Sequence, residues 1–525
     1  MVYRLTFRNV FSSWQWTLAA LTLLAALSGW AIAQLPLTTL IIAFGVGFVV
    51  IGTLIEPTIG LIATLTLGPW AAWQNTYLPG LLPTDVGQLS VALTLGAWGL
   101  RALLRREFNI PRLPLLIPLS IFVGWAVFTM LWAPDYTFGL PEVLKWIELA
   151  LIALFVVDIA QPCPERSRRG RGIGWVVVGL LLSAVVQALV GIYQARIRGI
   201  GPEGFLLSEG VYRAYGSFEQ PNPFGGFIGL NLPIAIGLGL ALWAEVRTRI
   251  HTEHTDIENK SAFIRVHPRP RSISAILAIG VTLIGGILAA ALYLSFSRGA
   301  WLGALAALLA MGLFLPRRRW IGATLIGGLI AIGLVLSSAG LLPASIADRF
   351  ADVGTLVDFR DVRGVKINDA NYAVIERLAH WQAAVGMLQA HPWSGVGFSN
   401  YQPVYEQYRL LNWPMPLGHA HNIYLNVAAE TGLPGLAAYG ILWIAIFVQT
   451  LGALRVQQGV RRGLALGLLG VWVHLSAHHL FDNLYVNNVH LNIGAMIGVL
   501  SVLTLSRNVR NDSRRSSERP EGDNR

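Results

Sequence analysis

Long runs without a charged residue are the feature that most constrains how this chain can fold. Of its 525 residues, 54% are hydrophobic and 13% are charged, and the charged share is about half that of a typical soluble domain. The charges cluster, which leaves these uncharged runs: 9–55, 57–84, 113–134, 173–195, 223–244, 273–297, 320–347, 431–454 and 483–506. Uncharged apolar runs of about 18 residues or more are typical of membrane-spanning helices. The sequence therefore predicts an all-α polytopic integral membrane protein.

The apolar runs divide into fourteen predicted spans, within an expected range of about 12–14 transmembrane helices. The spans lie near 12–34, 37–55, 58–77, 85–104, 113–132, 142–160, 173–195, 223–244, 273–296, 300–316, 320–341, 432–454, 463–481 and 485–506. The first apolar run continues past Pro36 into the second. This continuation favours an uncleaved first span over a signal peptide.

The basic residues predict the orientation of these spans. Of the 39 Lys and Arg residues, 28 fall in segments that alternate onto the same side as both termini. Short basic segments of this kind face the cytoplasm. We therefore expect cytoplasmic termini in the cell inner membrane, with the bilayer rather than nucleic acid as the partner that explains the net charge of +11.

The spacing of the spans predicts the organisation of the chain. The predicted parts are N-terminal transmembrane helices (1–196), an outer loop (197–222), central transmembrane helices (223–341), a large periplasmic loop (342–431), C-terminal transmembrane helices (432–506) and a disordered cytoplasmic tail (507–525). Within the large loop, apolar residues of 371–390 recur at helical spacing, so we expect short helices there. Long segments between short connectors are where function concentrates.

Two arginines on the predicted outer side are candidate ligands of a phosphate. Arg298 lies in Ser-Arg-Gly-Ala-Trp between two apolar runs, and Arg213 lies between Tyr212 and Ala214-Tyr215 in the outer loop. A planar guanidinium donates paired hydrogen bonds to phosphate oxygens. The alternatives are a snorkelling anchor beside Trp301 for Arg298 and a solvated loop residue for Arg213.

Histidines form a second group of candidates. His421 precedes the twelfth span, where it could act as a general base or as a polar anchor at the membrane interface. His419 and His421 have no acidic residue close in sequence, so they give a weak metal signal. A further polar cluster fits hydrogen bonds between helices, zinc binding or a proton relay, and it comprises His474, His478, His479 and Asp482. A single cysteine, Cys163, excludes an intrachain disulfide.

The segment around His421 resembles the O-antigen ligase family, with the related O-antigen polymerases and bacterial protein O-oligosaccharyltransferases. The ligase signature is His, then Asn, Ser or Gln, nine residues, Gly, two residues, then Gly, Thr or Tyr. His421-Asn422, Gly432 and Gly435 match it. The family's loop before the histidine has counterparts upstream in this chain, at Arg377, Trp381, 392–397 and Asn400-Tyr401. Arg213 and Arg298 resemble the family's two outer arginines. The resemblance covers about 205–485.

The resemblance implies a metal-independent, inverting glycosyltransferase without a cofactor, acting on the outer face of the inner membrane. Its donor is a polyprenyl-diphosphate-linked glycan, and its acceptor is a hydroxyl of a lipid-linked or surface glycan, or of a protein. Arg213, Arg298 and Arg377 would bind the diphosphate, and His421 would take the acceptor's proton. Asn422, Gly432 and Gly435 would complete the signature motif around this histidine.

Several activities remain open at this point. The signature favours a ligase in lipopolysaccharide biosynthesis over a polysaccharide polymerase or a protein O-oligosaccharyltransferase. A lipid-linked sugar transporter is the alternative outside the enzymes. Transporters place ionisable residues near the bilayer midplane and have repeated halves. Here the unusual groups gather at the predicted outer boundary instead, which argues against transport.

Overall fold

The computed structural model describes residues 22, 36–106, 113–160, 171–208, 211–255, 271–339, 361–368 and 371–517. Its helices are α1 Leu37–Ile55, α2 Pro57–Leu67, α3 Ala71–Tyr77, α4 Val86–Arg105, α5 Leu116–Thr129, α6 Tyr136–Ala160, α7 Arg171–Arg196, α8 Pro221–Thr255, α9 Arg271–Leu294, α10 Arg298–Phe314, α11 Arg319–Ser338, α12 Tyr372–Ala390, α13 Tyr401–Tyr408, α14 Ile423–Val456, α15 Gly459–His478 and α16 Val489–Ser517. Strands β1 (Leu206–Ser208) and β2 (Val211–Tyr212) form one small antiparallel hairpin. The predicted all-α fold is confirmed.

The helices follow the apolar runs of the sequence. Among the described residues, four helical stretches are long and apolar enough to cross a membrane by themselves: Gly172–Arg196, Pro221–Thr248, Ser272–Leu294 and Ile423–Val456. Shorter apolar helices of 10–17 residues accompany them. The predicted span 12–34 lies outside the described residues apart from residue 22. The predicted helix over 371–390 is present as α12.

Two predicted elements differ from the structure. The span predicted over 58–77 is not one helix, because a 3₁₀ turn at Gly68–Trp70 separates α2 from α3. Pro69 supplies no N–H to a continuous helical ladder. Of the tail predicted to be disordered, 507–525, residues 507–517 continue α16 as a helix, and 518–525 lie outside the described residues. Residues 507–517 contain no Gly or Pro, the two residues that disfavour a helix most, so the helix can continue through them.

Glycines allow the central helices to pack closely. A Cβ atom on Gly237 of α8 would lie 2.3 Å from the carbonyl oxygen of Gly463 in α15. A Cβ atom on Gly467 would lie 2.8 Å from the carbonyl oxygen of Pro233. Small residues let membrane helices approach through their backbones, where dispersion contacts hold them together. The sequence of α8 and α15 therefore fixes these two helices against each other.

A cap made of α12, α13 and the segment 409–422 covers one end of the bundle. Buried apolar residues hold α12 against the segment that contains Trp413, and Leu425 of α14 packs on both clusters of the cap. We call this the capped end of the bundle. The N-termini of α8, α10 and α14 and the C-termini of α9 and α15 meet there. The turn between α5 and α6 also contacts this end, through Trp132 and Asp135.

Candidate active site

A cavity of about 130 Å³ opens at the capped end of the bundle. Three arginines line it, namely Arg213 before α8, Arg298 at the start of α10 and Arg377 on α12. The other lining residues are Asn222, Phe296, Ser297, Gly299, Leu302, Ala373, Val374, His478, Phe481 and Asp482. The three arginines selected from the sequence, which are far apart in the chain, are therefore neighbours in space.

Arg213 is fixed by hydrogen bonds on one side of its guanidinium. Its Nε donates to the carbonyl oxygen of Ser295 at 3.0 Å. Its Nη2 donates to the Asn222 side-chain oxygen at 3.1 Å and to the carbonyl oxygen of Phe296 at 3.4 Å. These bonds join the segment before α8 to the turn between α9 and α10. Because the guanidinium is rigid and planar, they also fix how the group lines the cavity.

The other two arginines are presented by helices. Arg298 is the first residue of α10, after Ser297 as its N-cap, and the N-terminus of a helix carries a partial positive charge. Arg377 donates from Nε to the carbonyl oxygen of Phe481 at 3.2 Å and from Nη1 to that of Ala373 at 2.9 Å. Three guanidinium groups thus face one small volume, which favours an anion there.

His421 lies next to this cavity, in the turn that leads into α14. Asn422 is the N-cap of α14, since its side-chain oxygen accepts from the N–H groups of Tyr424 and Leu425. His421 has a φ of 51°, in the left-handed region that side chains with a Cβ seldom adopt. Trp381 of α12 donates from Nε1 to the His421 carbonyl oxygen at 3.5 Å. The cap and the bundle together hold this backbone, as strained residues at functional sites require.

Asp482 connects His421 to the cavity. Its Oδ1 lies 3.5 Å from His421 Nδ1 and 3.7 Å from His419 Nε2, and the Asp482 side chain also lines the cavity. From the sequence, Asp482 belongs to the polar cluster of the thirteenth span, because it lies about sixty residues after His419 and His421. A single acidic residue at the predicted outer end of a span was the available signal, but the turn that folds it back onto His421 was not predictable.

Burial sets the charge states of the groups around His421. The His421 N–H donates to His419 Nδ1 at 3.0 Å, so the neutral His419 ring carries its proton on Nε2, facing Asp482. Burial, together with the neighbouring His421, lowers the pKa of His419 to about 4. Burial alone would raise the pKa of Asp482, but His421, whose Nδ1 lies 3.5 Å away, brings it below the usual range. The carboxylate is therefore ionised beside His421.

His380 of α12 lies on another side of His421, with the two ring centroids 5.7 Å apart in an edge-to-face contact. The Tyr401 hydroxyl donates to the His380 carbonyl oxygen, so His380 Nδ1 donates to that hydroxyl at 2.9 Å. Burial, together with the charge of the neighbouring His421, lowers the pKa of His380 to about 3. His380 is a neutral wall of the site rather than a second base.

The ligand atoms of His419, His421 and Asp482 lie within 4.8 Å of one another, a spacing that could hold a metal ion. Two imidazoles and a carboxylate are acceptable ligands for zinc and several transition metals. The metal signal in the sequence alone is weaker, because no acidic residue lies close to these histidines along the chain. The positive charge of the three arginines in the adjoining cavity argues against a bound cation, because it would repel one.

The two signature glycines have structural roles. Gly432 has a φ of 69° at a kink inside α14, and a Cβ atom there would lie 2.6 Å from the Trp393 backbone. Trp125 of α5 donates from Nε1 to the Thr431 carbonyl oxygen at 2.8 Å, which satisfies a group at the kink. A Cβ atom on Gly435 would lie 3.0 Å from the same indole, as well as against Thr431. The glycines thus shape the helix that carries His421, and they do not contact the cavity.

The further polar cluster divides into three kinds of contact. His474 Nε2 bonds the Gly226 carbonyl oxygen of α8 at 3.1 Å, which confirms the predicted hydrogen bond between helices. The His479 ring accepts from the Leu484 N–H at 3.4 Å, and its carbonyl oxygen accepts from the Ile423 N–H at 3.0 Å. His478 and Asp482 instead line the cavity.

Comparison with protein families matches residues 281–440 to the O-antigen ligase family model. This confirms the family resemblance found at the histidine signature. The match includes Arg298, Arg377 and His421, while Arg213 and Asp482 lie outside it. None of the curated proteins matches the chain.

Proposed function

We propose, from the membership of region 281–440 in the O-antigen ligase family, that this protein is a membrane glycosyltransferase of the ligase type. It transfers a glycan from a polyprenyl-diphosphate carrier to an acceptor hydroxyl in surface polysaccharide biosynthesis. One observation carries the proposal: three arginines line a single cavity, and a carboxylate of that cavity lies beside the signature histidine. An anion site and a base site therefore adjoin.

The arginines bind the diphosphate of the donor. Arg213, Arg298 and Arg377 supply the positive charge that a metal ion supplies in many phosphate sites. Their hydrogen bonds to phosphate are charge-assisted and act in a partly buried cavity, where they are stronger than in water. They also stabilise the leaving diphosphate, whose negative charge increases as the glycosidic bond breaks.

His421 activates the acceptor. Its Nδ1 faces the Asp482 carboxylate, and its Nε2 makes no hydrogen bond to the described residues, so Nε2 takes the proton of the acceptor hydroxyl. The hydroxyl oxygen attacks the anomeric carbon from the side opposite the diphosphate, and the electron pair of the broken bond goes to the phosphate oxygen. The product is the inverted glycoside, and Asp482 stabilises the imidazolium formed.

The reaction proceeds without a metal, because the arginines already neutralise the diphosphate. Transfer by reconstituted protein is expected to be unchanged in EDTA. Loss of transfer in EDTA that zinc or another divalent ion restores would instead assign His419, His421 and Asp482 to a metal site.

The active site faces the outer side of the inner membrane. The basic segments that the structure describes, such as 317–319 and 455–462, lie at helix ends away from the cap, as the positive-inside rule expects of cytoplasmic segments. The single native cysteine permits a direct test. A membrane-impermeant maleimide should label Leu411→Cys, at a position 91% exposed on the cap, in a Cys163→Ser background and in intact spheroplasts. It should not label Cys163 of the natural chain, and the opposite pattern would reverse the orientation.

Deletion of the gene tests the activity and separates the subclasses. A ligase leaves long lipid-linked polymer when it is lost, a polymerase leaves single lipid-linked repeats, and a protein O-oligosaccharyltransferase leaves unmodified periplasmic protein. The ligase signature predicts the first result. A deletion strain in which surface glycan, lipid-linked glycan and periplasmic protein are all the same as in the wild type would contradict the proposed function.

A further inference from the structure

We infer that His478 contacts the donor substrate and donates a hydrogen bond to the phosphate oxygen that leaves the sugar. This inference rests on the proposed function and adds a residue to its site. His478 is the last residue of α15, its side chain is 1% exposed, and it lines the cavity together with Arg213, Arg298 and Arg377.

A comparison of His478 with His474, one helical turn deeper, supports this role. The two rings are stacked at 5.8 Å, and both lie in a slot lined by glycines of α8 and α10. His474 uses its Nε2 to bond the Gly226 carbonyl oxygen inside the slot. Neither ring nitrogen of His478 meets the distance and angle of a hydrogen bond to the described part of the chain, and the contact of the ring with the Gly299 backbone falls outside those limits. A buried imidazole without a partner, in the wall of a cavity, indicates that a ligand provides one.

The glycine slot determines which edge of the His478 ring faces the cavity. A Cβ atom on Gly226, which is not among the lining residues, would lie 3.0 Å from Nε2. A Cβ atom on Gly299, which does line the cavity, would lie 3.5 Å from Nδ1. The Nδ1 edge is therefore the one turned toward the cavity and the bound phosphate.

The charges around His478 indicate which phosphate oxygen it meets. The Asp482 N–H donates to the His478 carbonyl oxygen at 3.1 Å, so the two residues follow each other along the cavity wall. A diphosphate is repelled by the Asp482 carboxylate and attracted by the arginines. Its sugar end therefore points toward Asp482 and His421. His478 lies between the arginines and Asp482, and this is where the bond between sugar and phosphate must lie.

The chemical step needs a donor at this position but no proton transfer. The bond between the anomeric carbon and the phosphate oxygen breaks, and its electron pair stays on that oxygen. The acceptor's proton goes to His421. A neutral imidazole N–H at the leaving oxygen stabilises the growing negative charge, as donors of an oxyanion hole do. The contact therefore strengthens as the reaction proceeds.

The test measures transfer kinetics and thermal stability with full-length protein in liposomes and a defined polyprenyl-diphosphate glycan. His478→Phe keeps an aromatic ring but removes the donor, and we expect kcat to fall about 100-fold while KM for the glycan donor stays within about threefold. His478→Asn places an amide nitrogen near the Nδ1 position and should recover about tenfold of that loss. His474→Gln is the matched control, since it keeps a donor near the Nε2 position, and it should retain the wild-type kcat.

The possible outcomes separate this inference from the proposed function. Wild-type kcat in His478→Phe overturns the role of His478, and so do equal losses in His478→Phe and His474→Gln with lowered melting temperatures. If one of those results is obtained and the Arg298→Ala variant is inactive in the same assay, the diphosphate site stands and only the inference about His478 fails. If Arg298→Ala is fully active, the proposed function itself fails. An inactive Arg298→Ala, a kcat loss confined to His478→Phe and recovery in His478→Asn support both.

Discussion

The cavity and a second polar cluster, which we call the Glu148 network, contain the same kinds of residue in opposite arrangements. The network comprises Asp85, Gln88, Glu148, Asn488 and His490. In it, His490 Nε2 lies 2.8 Å from Glu148 Oε2, and Asn488 donates to Asp85 at 2.7 Å. Donors and acceptors alternate there. In the cavity, three guanidinium groups line one volume together with a single carboxylate, that of Asp482.

This difference separates a structural cluster from a functional one. The Glu148 network joins α4 and α6 to α16, and each of its members hydrogen-bonds to another member, as buried polar groups in a stable fold do. Three neighbouring guanidinium groups repel one another, which costs free energy unless an anion binds between them. Proteins accept such costs where function requires them. Mutation of the cavity should therefore lower the rate of glycan transfer, and mutation of the Glu148 network should lower the stability of the fold.

The largest effect is expected from the base. His421→Ala removes the proton acceptor and should lower glycan transfer by about 100- to 10,000-fold, with normal insertion in the membrane. His391→Ala is the matched control, because His391 is an exposed histidine directly after α12 of the cap, and it should be as active as the natural chain. Robust transfer by His421→Ala in the reconstituted assay would remove the base from the mechanism.

The next effect concerns the anion site. Arg298→Ala should reduce transfer about 100-fold, and Arg298→Lys should restore a minor part, because a single ammonium cannot replace a planar guanidinium. Arg363→Ala is the control, since Arg363 is 75% exposed and paired with Asp361 outside the cavity. The activity of each of these variants would be measured as the initial rate of glycan transfer at saturating acceptor. Equal rates for Arg298→Ala and Arg363→Ala would show that charge in the cavity has no special role.

A smaller effect is expected from Asp482→Asn. Without the carboxylate, the imidazolium that forms on His421 during the reaction is no longer stabilised, so transfer should fall about 10- to 100-fold. His419 and His380 stay uncharged near neutral pH, because burial lowers their pKa values to about 4 and about 3. A transfer rate of Asp482→Asn equal to the wild-type rate would contradict the pairing.

The smallest effect on catalysis is expected in the Glu148 network. Glu148→Gln weakens bonds to His490 and Gln88 and should lower the free energy of unfolding by about 1–3 kcal/mol. A lowered melting temperature in detergent, with kcat within about threefold of the natural chain, is the predicted pair of results. A large kcat loss at unchanged stability would mean that this network also takes part in the reaction.

The sequence predicted much of this arrangement because membrane helices have a clear signal. Apolar runs gave the helices of the bundle, and the family resemblance selected Arg213, Arg298, Arg377 and His421. Local chemistry could also have predicted the break at Gly68-Pro69, since a proline ends a helical ladder. The kink at Gly432 depends on tertiary contact with the Trp393 backbone, which leaves no periodic signal along the chain.

The partnership of Asp482 with His421 lay beyond sequence reasoning for a related reason. The two residues meet because the end of α15 and the start of α14 lie together at the capped end, where the Ile423 N–H donates to the His479 carbonyl oxygen at 3.0 Å. Hydropathy gives the position of each span but not which ends pack together. The same limit applies to His478, whose cavity contact depends on the glycine slot between α8 and α10.

Binding of polyprenyl diphosphate to the protein in nanodiscs tests the central claim most directly. The natural chain and Glu148→Gln should bind it with the same affinity. The double variant Arg213→Ala/Arg298→Ala should bind at least about 100-fold more weakly. Wild-type affinity in a folded double variant would contradict the account, because the arginines of the cavity would then not be the groups that hold the diphosphate.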